Sequence, residues 1–184
     1  MEGTNEKVCA ERGRVLPSYT EDLLGMPVVL RNAAIQETDP DTGEETIEIP
    51  DMEGLVAAMA MARCLLPLRL SGAEVRFLRK ALELTQKEFS DHLEVSAETV
   101  SRWESEAQPM GGFSEKLLRH FVCGEMQERA PAIDFEPSMI NHMRIMCIAD
   151  VSEVPPMVFE RVTLKDRATR DKHREWDTFT DMAA

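Results

Sequence analysis

Between residues 71 and 121 the chain repeats one signal at short intervals: a hydroxylated residue able to cap a helix, followed by a few apolar positions and a polar turn. Ser71-Gly72-Ala73-Glu74 and Thr85-Gln86-Lys87-Glu88 both read as capping boxes. In such a box the hydroxyl accepts from the third helical amide while the glutamate reaches back to the amide of the cap. Ser96-Ala97-Glu98-Thr99 opens a third helix, and Ser114 begins a fourth after Gln108-Pro109-Met110-Gly111-Gly112. Inward-facing positions follow each start: Val75, Leu78, Ala81 and Leu82; Phe89 and Leu93; Val100 and Trp103; Leu117, Leu118 and Phe121. Helices this short are marginal alone. They must bury these faces against one another, and a compact helical bundle is the expected result.

Charge sets the second constraint. The 184 residues hold 34 acidic and 21 basic side chains, a net charge of −13. Taken whole, that opposes a polyanionic partner. The acid is unevenly spread, however: residues 1–64 carry −8, residues 65–124 only −1 and residues 125–184 carry −4. The capped segment is therefore nearly neutral. At 43% hydrophobic and 30% charged the chain has enough apolar side chains for a core. No apolar run approaches the ~18–20 residues of a membrane span, and the start MEGTNEKVC has no signal-peptide core. A cytoplasmic protein without membrane contact is expected.

Cys9, Cys64, Cys123 and Cys147 are widely spaced, so the C-x-x-C half of a structural zinc site is missing, and the four histidines are equally scattered. Buried, reduced thiols, no metal and no cofactor are the expectation. Paired carboxylates, a nucleophile elbow or a phosphate loop are also missing, which argues against an enzyme.

Outside the capped segment the pattern is looser. Residues 1–20 read as polar and irregular. The apolar run Leu24–Ile35, the turn cluster Glu37–Glu44 and the alternating Thr46-Ile47-Glu48-Ile49 read as a β-hairpin, which must pack on something to be stable. Asp51 caps an Ala-rich helix from Met52 to Leu66. Beyond Gly124, residues 138–148 suggest a helix, residues 157–164 a strand, and Trp176 and Phe179 an anchor. The expected division is a hairpin-plus-helix unit over 1–66, a helical domain over 67–124 and an extension over 125–184.

The run from Leu84 to Glu104 resembles the helix-turn-helix of Xre-type regulators, the family of the lambda and Cro repressors. Two short helices separated by Glu94-Val95-Ser96 can cross steeply, with Phe89, Leu93, Val100 and Trp103 closing the corner. The second helix then turns a small polar face toward a major groove ~12 Å wide. The resemblance implies that Gln86 contacts phosphate, aided by its helix N-terminus, with Lys87 beside it. It implies phosphate or sugar contacts for Ser96 and Thr99, and base-edge contacts for Ala97, Glu98, Ser101 and Arg102. Arg102 is the candidate for a bidentate contact to guanine. The corner, often glycine in that family, is Glu94 here, so ~1 kcal/mol of backbone strain is expected.

Leu24–Leu30, Ile47–Leu55 and Leu70–Lys80, taken with this motif, are also similar to the MqsA-type antitoxins, which join an N-terminal zinc module to a C-terminal helix-turn-helix. That resemblance spans roughly Cys9 to Phe121. The family's two C-x-x-C pairs are missing: Cys9 stands alone and the turn 37–44 has no cysteine. The expected fold class is mainly α, an Xre-type bundle with a small N-terminal hairpin and helix and an extension able to add a strand. The function implied is a dimeric repressor on a palindromic duplex operator, or an autorepressing antitoxin whose acidic N-terminal unit holds a basic toxin. The alternative is a protein-interaction module whose helix-turn-helix does not bind DNA.

Overall fold

The structure, a computed structural model, describes residues 13–147, 156–165 and 172–178. The described chain runs β1 (Arg14–Val15), β2 (Ser18–Leu23), β3 (Met26–Arg31), β4 (Ile35–Thr38) and β5 (Glu45–Glu48). It continues through α1 (Met52–Leu65), α2 (Gly72–Ala81), α3 (Gln86–His92), α4 (Ala97–Glu104), α5 (Gly112–Met126) and α6 (Pro137–His142). It closes with β6 (Met157–Lys165) and β7 (Lys172–Thr178). This corrects the mainly α expectation: the described residues form two sheets, seven strands in all, beside the helices, about 40% helix and 25% strand.

The reason lies in segments whose polar composition hid their pairing. In β2, Ser-Tyr-Thr-Glu-Asp-Leu alternates exposed and half-buried positions, as a sheet-edge strand does. Its partner β3 buries Met26, Val28 and Leu30. Leu24 and Gly25 join them in a two-residue turn, both with positive φ, 56° and 88°, the backbone that matches strand twist. Asn32, at φ 49°, then breaks the apolar run that reads as one strand in the sequence. Residues beyond it leave for a second sheet, ordered β1-β4-β5 and antiparallel. The first sheet is completed from the far end of the chain, in the order β2-β3-β6-β7, with β3 and β6 parallel. A parallel pair needs a crossover, and here α1 to α6 supply it.

Helix α1 lies between sheet and bundle, packing against β7 on one side and α2 and α5 on the other. Its sequence, apolar around most of its circumference and rich in alanine, is that of an enclosed helix. The C-terminal hairpin secures its start. Trp176 of β7 is fully buried and donates from Nε1 to the Asp51 carbonyl at 2.9 Å. Arg161 of β6 donates to the Pro50 carbonyl at 3.1 Å and lies over the Trp176 ring, 5.2 Å from its centre. Phe179, the other expected anchor, lies outside the described residues. The helix expected over 138–148 stops at His142, because Met146 pairs with the 66–70 linker: its amide donates to Pro67 and its carbonyl accepts from Arg69, both at 2.8 Å.

Two arginines secure the other end of α1. Arg119 of α5 is fully buried and donates to the carbonyls of Cys64, Leu66 and Leu68, each at 2.6 Å, and to Glu115 Oε1 at 2.7 Å. That same carboxylate oxygen accepts from the Leu70 amide at 3.0 Å. Arg63 pairs through two nitrogens with Glu74, one contact at 2.8 Å, and donates to the carbonyls of Leu68 and Arg69. The last carbonyls of α1, the linker, the start of α2 and the face of α5 are thus joined through two guanidiniums, whose rigid fork of donors suits this task.

Candidate nucleic-acid interface

Helices α2 to α5 enclose Val75, Phe77, Leu78, Phe89, Val100, Trp103 and Leu118, all buried. The starts of α2, α3 and α4 are the ones the sequence announces. Ser71 and Thr85 form complete capping boxes with Glu74 and Glu88, and Ser96 accepts from the Thr99 amide. One bond from the Thr85 amide and one from its hydroxyl to Glu88 hold that carboxyl below its usual range.

The ends are built alike. At the end of α2, Glu83 N donates to Lys80 O at 2.9 Å and Leu84 N to Arg79 O at 3.2 Å. At the end of α3, Glu94 N donates to Asp91 O at 3.3 Å and Val95 N to Ser90 O at 3.0 Å. These are paired terminal bonds of the Schellman type, which place the residue after the cap in the left-handed region. Glutamate occupies that residue both times, with φ of 60° and 53°. The strain expected at Glu94 is therefore present, and its carboxylate also faces the negative end of a helix dipole. Glu94→Gly is expected to raise the unfolding free energy by about 0.5–1 kcal/mol, the relieved strain less the extra freedom of glycine in the unfolded chain. A urea midpoint that does not rise would contradict this account of the turn.

Glu104, at the last turn of α4, fixes how that helix lies. Its side chain is almost fully buried and accepts from Arg79 at 2.5 and 3.1 Å and from Gln86 Nε2 at 2.9 Å, with Arg76 at 3.6 Å. Burial alone would push this carboxyl up; Arg79, Gln86 and Arg76 outweigh it and hold it below the ordinary range. Glu74 shows the same balance, with burial opposed by Arg63 and Ser71. One carboxylate thus ties α4 to α2 and α3. Sequence reading missed it, since Glu104 looks like a solvated residue ending an exposed helix.

The sequence-selected residues lie along α3 and α4. Gln86 begins α3, half-buried, its amide committed to Glu104. Lys87 is exposed and pairs with Asp91 one turn on. Ser96 and Thr99 bond to each other at the start of α4, 2.9 Å between hydroxyls. Ala97 is half-buried, while Glu98, Ser101 and Arg102 point into solvent. Arg102 Nη2 donates to Glu98 Oε1 at 2.6 Å. An exposed α4 carrying donors and acceptors, with the start of α3 beside it, has the dimensions to enter a major groove.

Residues 75–121 match the helix-turn-helix family model. The match covers about a quarter of the chain and contains both α3 and α4; the family it matches is a DNA-binding regulatory domain, not an enzyme family. No curated protein and no solved structure matches the chain. Among the described residues no helix is long and apolar enough to cross a membrane.

The thiols do not suit the zinc module of the MqsA-type proteins. Cys64 and Cys123 are buried in α1 and α5, and Cys147 is exposed rather than buried as expected. Burial, then the neighbouring Cys123, pushes the Cys64 thiol up, away from the thiolate that zinc binds. Cys9 lies outside the described residues.

Proposed function

We propose that the protein is a sequence-specific transcriptional regulator that binds duplex DNA as a dimer on a palindromic operator and represses its own promoter. The observation that carries this reading is the helix-turn-helix match coinciding with an α4 whose Glu98, Ser101 and Arg102 are solvent-facing while its other side is locked by Trp103 and Glu104. In this reading Ala97, Glu98, Ser101 and Arg102 meet base edges, and Gln86, Lys87, Ser96 and Thr99 meet the backbone. Residues 67–124 form the DNA-binding domain between the 1–66 unit and the 125–184 extension. Phe113 and Leu117, one turn apart on α5 and both exposed, favour self-association.

A gel shift on the DNA upstream of the protein's own coding sequence tests it. Arg102→Ala is expected to weaken binding by about 10- to 100-fold, the value of one bidentate contact. The thermal midpoint should barely move, because an exposed i,i+4 pair contributes only a few tenths of a kcal/mol. Wild type and variant equally inert at low salt would sink the proposal.

A second reading is favoured by the charge of the same face. Lys87 and Arg102 there are matched by Glu88, Asp91, Glu94 and Glu98, a poor surface for phosphate. In that reading the protein is an interaction module, and its acidic N-terminal unit holds a basic partner such as a toxin. Pull-down of the small basic product of an adjacent reading frame, without any gel shift, would favour it.

A further inference from the structure

The Glu98–Arg102 pair is the feature of α4 least suited to generic phosphate contact. The two side chains are 73% and 54% exposed and bonded to each other. Only one guanidinium nitrogen of Arg102 and one oxygen of Glu98 take part. Among the described residues, the second carboxylate oxygen and the other guanidinium nitrogens make no hydrogen bond. The pair therefore presents donors and an acceptor side by side and is electrically neutral as a unit. The pair biases the Arg102 fork only weakly, but it sets the Glu98 acceptor beside the Arg102 donors on the exposed face of α4.

We infer, on the footing of the DNA-binding reading above, that Glu98 and Arg102 act as one recognition unit for a G·C-containing step. Arg102 donates to guanine O6 and N7, while Glu98 accepts from the N4 amine of a cytosine in the adjoining base pair. Spacing supports this: residues four apart on a helix face lie about 5–6 Å apart, and base pairs are stacked about 3.4 Å apart, so the two side chains span neighbouring rungs. Chemistry supports the choice of base. Thymine turns its O4 acceptor toward the groove, and adenine sets its N7 acceptor beside its N6 amine; both oppose a carboxylate. Cytosine offers the N4 donor alone. On the wrong sequence Glu98 faces acceptors and phosphates, so the acid that weakens general affinity sharpens the sequence preference.

Selection of operators from a randomised duplex pool by the full-length protein tests this, run with wild type, Glu98→Gln and Arg102→Ala. Wild type is expected to enrich a motif in which the guanine is flanked by a cytosine at a fixed position in the adjoining base pair. Glu98→Gln should keep the guanine and lose preference for the cytosine by about 10- to 100-fold, while binding random DNA more tightly. Arg102→Ala should lose the guanine. The inference is overturned if Glu98→Gln selects the wild-type motif with only a uniform gain in affinity, or if the wild-type motif lacks the cytosine. A folded wild type that enriches no motif overturns the DNA-binding reading itself, and the inference with it.

Discussion

Replacing Arg119 by leucine is expected to cost about 3–5 kcal/mol of stability, the range for removing one partner of a buried ion pair. The guanidinium is completely buried, and its loss strands Glu115, which is 1% exposed. It also strands three carbonyls, of Cys64, Leu66 and Leu68, that approach it at 2.6 Å. The Cys64 carbonyl is buried, and a buried acceptor left without a donor carries its full desolvation cost. Set against the ~5–15 kcal/mol that holds a typical domain folded, this is a large fraction. A second variant separates charge from capping. Arg119→Leu with Glu115→Leu removes the stranded carboxylate, yet leaves the carbonyls and the Leu70 amide without partners. It should therefore recover only part of the loss. Urea denaturation of the three proteins is the measurement. A single variant within 1 kcal/mol of wild type, or a double variant at full stability, would show that Arg119 does not organise the end of α1.

Very little of that was legible in the sequence. Glu115 and Arg119 stand four apart on a helix, the spacing of an ordinary solvated pair, and only tertiary structure turns them inward. Local chemistry was read well where it is local. Ser71, Thr85 and Ser96 cap helices because the groups they satisfy lie within three residues, and the strain at Glu94 was implied by the glycine often found at that corner in the Xre-type family. Ala97, Glu98, Ser101 and Arg102 fall on one helix, α4, for the same reason. The sheets were missed because their pairing is not local: β3 finds β6 across the whole helical region, and no periodicity within β2 announces which strand it joins. Asn32, a single left-handed residue, divides what reads as one apolar strand between two sheets.

Gly72→Ala is expected to combine a stability loss of about 1–3 kcal/mol, the usual cost of forcing a methyl group into a filled site, with a larger fractional loss of DNA affinity. A Cβ on Gly72 would sit 2.7 Å from the carbonyl oxygens of both Trp103 and Glu104 and from Cγ of Glu106. Two of those three atoms belong to the backbone at the end of α4, so relief must come from movement of α4 itself. That movement works against the Glu104 contacts to Arg79 and Gln86 and against the bond from the Gly72 amide to Glu106 Oε1 at 2.9 Å. Base readout depends on hydrogen-bond geometry and falls away within a fraction of an ångström, so a small displacement of α4 weakens every base contact at once. Gly112→Ala is the control: it adds the same methyl group at the start of α5, where nothing lies within 4 Å, and should leave affinity unchanged and stability unchanged or slightly raised. Operator affinity measured where each variant is fully folded distinguishes a displaced helix from simple unfolding. If Gly72→Ala binds like wild type under those conditions, α4 is not held by its approach to α2, and the link drawn here between that contact and recognition fails.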